Sequence, residues 1–218
     1  TTITIPEQPR TRGKPALPYK DVLYATITKI AHQLSSRRGQ GVVNSDSIGD
    51  YNYTATLRFL RNPDNSALLR ELLHASAKPF VDIEESFSID SSGFNTCRYN
   101  EWLDEKYNVN REREFVKCHI VCGNKTNVVT DAVITESNAS DISQFKELLD
   151  TTVGQFHVKQ FLADAGYLSN ENYKLFANID AEPLIRFKKN SVPDGKKCDK
   201  WLEAYFKIGH EEGEYFAQ

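Results

Sequence analysis

The chain has 218 residues, 39% hydrophobic and 11% aromatic, with a net charge of −3 and no methionine. That composition excludes a disordered chain and fits one large folded core, or a large and a small one. No apolar run approaches the roughly 18 residues of a membrane span, and the opening TTITIPEQPRTRGK lacks a signal peptide's apolar centre, so a cytoplasmic protein without a membrane partner is expected.

Four cysteines, Cys97, Cys118, Cys122 and Cys198, form no CxxC pair, which predicts reduced thiols and argues against zinc. The charge is uneven: residues 1–80 hold 11 Lys and Arg against 6 Asp and Glu, and the remainder holds 16 against 24. A basic first part suits contact with a polyanion, although a solvated basic face has the same composition. The absence of Met and the ending GEYFAQ, with no stop signal after it, read as a fragment or as a sequence from which residues such as Met have dropped out.

In chain order, LPYKDVLYATITKIAHQLSSRR predicts an amphipathic helix after Pro18, with Leu23, Ile27, Ile30 and Leu34 on its apolar face and Arg37 and Arg38 directly after it. DYNYTATLRFLRN predicts a second helix with Tyr53, Leu57 and Leu60 on one face and Arg58 and Arg61 nearby. PDNSALLRELLHASA predicts a third, opened by Pro63. Three short helices with exposed arginines suggest a DNA-binding region over residues 1–79, with Arg37, Arg38, Arg58 and Arg61 as contacts; an ordinary helical bundle gives the same pattern.

From Phe80 the pattern changes. SFSIDSSGFN alternates Phe87 and Ile89 against Ser86, Ser88 and Asp90, the period of a strand that ends on an acid. REFVKCHIVCG and TNVVTDAVITE, separated by GNK, predict an antiparallel hairpin. DISQFKELLDTTV predicts a helix with Ser140 or Asp141 as N-cap, and the cap is the preferred reading of Asp141. QFLAD predicts a strand ending in Asp164, followed by a helix over NENYKLFANI, a strand over EPLIRFKKN and an amphipathic segment from Lys200. The order predicts an α/β fold over residues 80–218, with antiparallel and parallel strand pairs.

Asp90 and Asp164 each close a strand and precede small residues. If the helix over residues 141–152 crosses between their strands, the strands run parallel as neighbours and both carboxylates emerge at one edge, where α/β sheets bind ligands. Adjacent carboxylates repel unless a cation neutralises them, and an all-oxygen donor pair favours Mg²⁺ or Mn²⁺. Two ions about 3.5–4 Å apart would serve in-line displacement at a phosphodiester. The alternative makes Asp90 a turn residue. Lys117 and His119 alternate against Val116, Cys118 and Ile120 and are placed near the metal edge or a DNA phosphate; Lys188 and Lys189, after the last strand, are candidate phosphate contacts.

The segments FSIDSSGF, FVKCHIVCGNKTNVVTDAVITESNASD, LADAGYLSNENY and IRFKKNS, in that order, resemble the successive motifs of DDE transposases of bacterial and archaeal insertion sequences, and GKPALPYKDVLYA and SSRR resemble the region before them. The resemblance covers most of residues 13–218. It implies a ribonuclease-H-like mixed sheet flanked by helices, preceded by a small all-helical region. It makes Asp90 and Asp164 the first two acids of a catalytic triad with two Mg²⁺ or Mn²⁺ ions. It also implies DNA cleavage and strand transfer at insertion-sequence ends, with terminal inverted repeats and target DNA as partners, a homodimer, and a nucleoid-associated location.

The third acid belongs to a Tyr-His-x-Arg-x-x-x-Glu-like motif that is absent before Gln218; Glu203, Glu211, Glu212 and Glu214 lie in unlike surroundings. The expectation is therefore a core truncated before its third acid and inactive alone. Two other readings stand beside it: a catalytically silent DNA-binding or regulatory protein derived from a transposase, and a single-Asp phosphohydrolase. The second lacks the usual acid two residues on, where Ser92 stands.

Overall fold

The computed structural model describes residues 5, 17–46, 51–95, 106–107 and 115–215, with side chains through Lys207. Cys97 and the side chains of Glu211, Glu212 and Glu214 lie outside the description. The chain divides into two compact units, Thr1–Ala75 and Ser76–Gln218. Cys118, Cys122 and Cys198 are free thiols, and no described helix is long and apolar enough to cross a membrane.

The first unit holds α1 (Tyr19–Ala31), α2 (Ser36–Ser45), α3 (Tyr53–Arg61) and most of α4 (Asn65–Ala77). Among the described residues there are thus four helices where the sequence suggests three. Arg37 and Arg38 do not trail α1: Ser35 caps a separate helix by accepting a hydrogen bond from the Arg38 amide at 3.4 Å, which places both arginines in its first turn. The buried faces also differ from expectation. On α1 the inward residues are Val22, Leu23, Ala25 and Thr26, whereas Ile27 and Ile30 are 48% and 57% exposed.

The reason is that α1 carries apolar residues on two sides, so periodicity alone leaves its inward face open. Contact with α2 and α3 favours the side where the Thr26 hydroxyl is satisfied by the Val22 carbonyl at 2.7 Å. On α3 the buried pair is Thr56 and Phe59, with Leu60 exposed. Two small cores result, one around Val22, Leu23, Phe59 and Leu68, the other around Ala25, Val43 and Tyr51.

Among its described residues the second unit has five strands: β1 (Ser86–Asn95), β2 (Phe115–Gly123), β3 (Val129–Glu136), β4 (Gln160–Ala163) and β5 (Glu182–Ile185). Their order is β3-β2-β1-β4-β5. The first three form an antiparallel meander, β4 adds parallel to β1, and β5 adds parallel to β4. This strand order is that of the mixed sheet which the motif order implies. Helices α5 (Asp141–Val153), α6 (Asn170–Leu175) and α7 (Asp199–Tyr215) follow β3, β4 and β5 respectively.

Helix α5 buries Phe145, Leu148, Leu149 and Thr152, the i, i+3, i+4, i+7 set of one helical face. Phe145 meets Phe161, Tyr167 and Phe176 at ring-centroid distances of 5.4, 5.9 and 6.2 Å. Together with Phe87, Ile89, Val121 and Ile185 they form the main core. Truncating Phe145 to Ala would cost about 3–5 kcal/mol, the range for a large aromatic in a packed interior.

The turn between β2 and β3 is pinned by a side chain outside the hairpin. Glu84, 1% exposed, accepts hydrogen bonds from the Lys125 amide at 2.9 Å, the Thr126 amide at 2.8 Å and the Thr126 hydroxyl at 2.9 Å. Its carboxylate fills the space beside Gly123, where an added Cβ would lie 2.5 Å from Glu84 Oε2.

Candidate active site

Strand β1 does not stop at Asp90. It continues paired with β2 as far as Asn95↔Phe115, while its pairing with β4 ends at Ile89↔Ala163. Asp90 is therefore the first β1 residue past the end of β4, and Asp164 is the first residue after β4 itself. Parallel neighbours are about 4.8 Å apart, so the two backbones leave the ladder side by side. Phe87, Ile89 and Phe161 turn into the core, and the alternation carries Asp90 and Asp164 to the opposite face, both exposed. Asp90 accepts a hydrogen bond from the Ser91 amide at 2.7 Å, and Asp164 from the Gly166 amide at 2.9 Å.

The residues behind this pair are arranged differently from expectation. Across β1 and β2, Asp90 faces Ile120 and Ser91 faces His119, so Val116, Cys118 and Ile120 lie on the Asp90 face and Lys117 and His119 on the α5 face. His119 is fully buried, with Nδ1 3.3 Å from the Tyr167 hydroxyl and Nε2 3.1 Å from Thr135 Oγ1. A ring enclosed in this way has no surface to offer a phosphate, which corrects its assignment as a DNA contact. Lys117, with 22% of its side chain exposed, places Nζ 2.7 Å from Asp141 Oδ1.

Asp141 is not the helix cap. Ser140 holds the N-cap position, and Asp141, the first residue of α5, turns its carboxylate toward the site. Its Oδ2 would lie 3.2 Å from a Cβ placed on Gly166. Burial pushes the Asp141 carboxyl up, but hydrogen bonds from Lys117 and Ser91 and the charge of Lys117 outweigh burial and hold it below the ordinary carboxylate value. Burial lowers the His119 pKa by more than the Asp141 charge raises it, so the ring stays neutral. Tyr167 is raised chiefly by burial. A Ser91 hydrogen bond opposes that rise, and the charges of Asp141, Asp164 and Asp90 add to it.

Ser91, Asp141 and Tyr167 thus join strand β1, strand β2, helix α5 and the turn after β4 into one polar network. Sequence reading did not find Ser91 or Tyr167 as site residues. Their sole signal is adjacency to the two acids, which gains meaning once the strands are in register.

Lys188 and Lys189 are exposed and follow the carboxyl end of β5, the same edge of the sheet as the aspartate pair. The acids of α7 are carried elsewhere. The helix starts beside α6, where the Cys198 amide donates to Asn170 Oδ1 at 2.8 Å, and it runs back along β5 until Lys207 pairs with Glu182 at that strand's amino end. Glu203 lines a groove there with Lys159 and Glu182. The backbone at residues 211–214 continues along the same helix, so α7 leads away from the aspartates. In the first unit Arg37, Arg38, Arg58 and Arg61 are all exposed, and the Arg37 guanidinium stands 5.9 Å from the Tyr53 ring centre.

Two exposed carboxylates on adjacent parallel strands, with no ion pair to either among the described residues, are hard oxygen donors that fit a divalent cation. Among the described residues no cluster of three or more His, Cys, Asp and Glu is placed to hold a metal ion. The pair would therefore hold one through two carboxylates, with water and substrate oxygens completing the shell.

A family model described as "Transposase DDE domain" matches residues 84–216. A search of curated proteins found no match. Among solved structures, a cryo-EM structure of a piggyBac transposase synaptic complex with hairpin DNA is similar at 12% identity and a TM-score of 0.40. The match covers 85% of this chain and 46% of that one, so the chain spans less than half the length of that protein.

Proposed function

The chain belongs to the transposase DDE domain family, and we propose that residues 80–218 form a core for divalent-metal-dependent cleavage and strand transfer of DNA, with residues 1–79 as a DNA-binding region. The observation that carries this reading is the parallel register ending at Ile89↔Ala163, which leaves Asp90 and Asp164 side by side at an exposed sheet edge. Asp90 and Asp164 would hold Mg²⁺ or Mn²⁺. The ions supply activation of a water or 3′-hydroxyl nucleophile and neutralisation of the leaving oxygen.

The chain's own residues supply position. Ser91 and Gly166, each next to or two residues beyond an aspartate, hydrogen-bond to or crowd Asp141, and Lys117 removes the repulsion that a third free carboxylate would add. Neutral His119 and protonated Tyr167 complete this support without adding charge. DNA is the proposed partner, held by Arg37, Arg38, Arg58 and Arg61 in the first unit and by Lys188 and Lys189 at the sheet edge. The synapsis of two ends calls for a homodimer, and a third acid from beyond the described residues would complete the metal shell.

The test is Mn²⁺ titration calorimetry on the 218-residue chain and its Asp90→Asn, Asp164→Asn double variant. Weak binding that disappears in the variant supports a shared site. Equal binding by both proteins would return Asp90 to a turn role and remove the basis for this reading.

A further inference from the structure

We infer that Arg186 is a substrate-contacting residue of this site, gripping a phosphodiester oxygen of the DNA strand held at Asp90 and Asp164. The inference rests on the reading of that pair as a divalent-ion site. It comes from register: Ala163 pairs with Ile185 just as it pairs with Ile89, so the next residues on three adjacent parallel strands are Asp90, Asp164 and Arg186. The Arg186 amide donates to the Ala163 carbonyl at 3.0 Å, which fixes its place at the end of the ladder. Alternation puts it on the same face as the acids, since Ile185 is buried in the core.

That face has a recess of about 380 Å³. Ser88, Leu162 and Leu184 line it together with Asp164 and Arg186. Arg186 is exposed and, among the described residues, has no carboxylate partner. It shares this with Lys188 and Lys189, whereas Lys117 pairs with Asp141, Lys159 with Glu85, Lys174 with Glu171 and Lys207 with Glu182. The groove of about 550 Å³ at the opposite end of β4 and β5 contains lysines, but Lys159 and Lys207 there are already answered by glutamates.

The backbone carrying Arg186 is firmly held. The next residue, Phe187, packs between Tyr173, Trp201 and Tyr205 at centroid distances of 6.0, 5.0 and 5.2 Å. A guanidinium on such a support presents a planar pair of donors that matches two phosphate oxygens, a geometry that an ammonium lacks. A phosphodiester that lends one oxygen to an ion at the aspartates leaves its other oxygen for Arg186.

The test measures binding of a mixed-sequence single-stranded oligodeoxynucleotide to the full chain with Mn²⁺ and with EDTA, beside Mn²⁺ affinity without DNA. For Arg186→Ala, the Mn²⁺-dependent gain in oligonucleotide affinity should fall about tenfold, the size of a lost charge-assisted contact. Arg186→Lys should restore part of it. Mn²⁺ affinity without DNA should hold or tighten, because the variant removes a positive charge beside the carboxylates. An unchanged gain in Arg186→Ala overturns the inference, as does a parallel loss of Mn²⁺ affinity, which would mark a structural role. If the wild-type chain shows no Mn²⁺-dependent gain, or the Asp90→Asn, Asp164→Asn variant keeps it, the metal-pair reading itself fails and takes this inference with it.

Discussion

Asp164 accepts a hydrogen bond from the Gly166 amide at 2.9 Å, and a Cβ on Gly166 would lie 2.9 Å from the same Asp164 oxygen and 3.2 Å from Asp141 Oδ2. The glycine is thus the spacer between two carboxylates. Gly166→Ala should displace Asp164 or Asp141 and weaken Mn²⁺ binding about tenfold, because a site loosened by about an ångström loses its preorganisation. Because the clash is with side chains, the loss of fold stability should stay near 1 kcal/mol, within the usual range for one substitution. Calorimetric titration and urea unfolding separate the two effects; unaltered Mn²⁺ affinity would show that Asp164 does not need its present position.

Lys117 and Asp141 make the second prediction. The pair is about one-fifth exposed on each side, so solvent screens it in part. Lys117→Met should destabilise the fold by roughly 1–2 kcal/mol, because Asp141 then keeps Ser91 but loses its cation. Lys117→Met with Asp141→Asn should cost less than the sum of the single changes. Urea denaturation of the four proteins measures the coupling, and strict additivity would mean that the pair contributes nothing of its own.

What the sequence made legible follows from local periodicity. Phe87 and Ile89 against Ser88 and Asp90 is a period-two signal, and QFLAD followed by AGY repeats the same ending on a second strand, so the placing of the two aspartates at one edge of a mixed sheet is legible in the sequence. Period two does not say which face a helix will cover. Alternation alone therefore puts Lys117 and His119 near the metal edge or a DNA phosphate, whereas α5 covers their face. Asp141 resembles a cap in sequence because an acid in a first helical turn is favourable there with or without a partner. On α1, where Ile27 and Ile30 compete with Val22 and Ala25, only packing against the other helices decides. Arg186 carries no signal within its own strand, because its meaning lies in register with β4.

The arginines of the first unit carry the third prediction. Arg37, Arg38, Arg58 and Arg61 are exposed on short helices and are proposed to meet phosphates, which give affinity and salt dependence more than sequence reading. Each Arg→Ala change at a true duplex-phosphate contact should flatten the slope of log affinity against log salt by about 0.9. Anisotropy titrations of a duplex at several salt concentrations give that slope. A fourfold Arg→Ala variant that keeps both slope and affinity would assign the arginines to a solvated surface.

Glu84 makes the last prediction, and it concerns pH. Burial pushes its carboxyl up, but hydrogen bonds from Thr126, Ser86 and Lys125 outweigh burial, so the folded value lies below the ordinary 4.5. A depressed folded value means that the unfolded chain takes up the proton first. The stabilisation is therefore complete above about pH 4.5 and is lost as pH falls through the folded value. Glu84→Gln keeps the shape but loses charge-assisted acceptance from three backbone amides and a hydroxyl, and should cost roughly 1–3 kcal/mol at pH 7. The same change should flatten the acid side of the stability curve, because the titrating group is gone. Urea unfolding of both proteins between pH 7 and pH 3 measures this; curves that stay parallel throughout would show that the β2–β3 turn does not depend on an ionised Glu84.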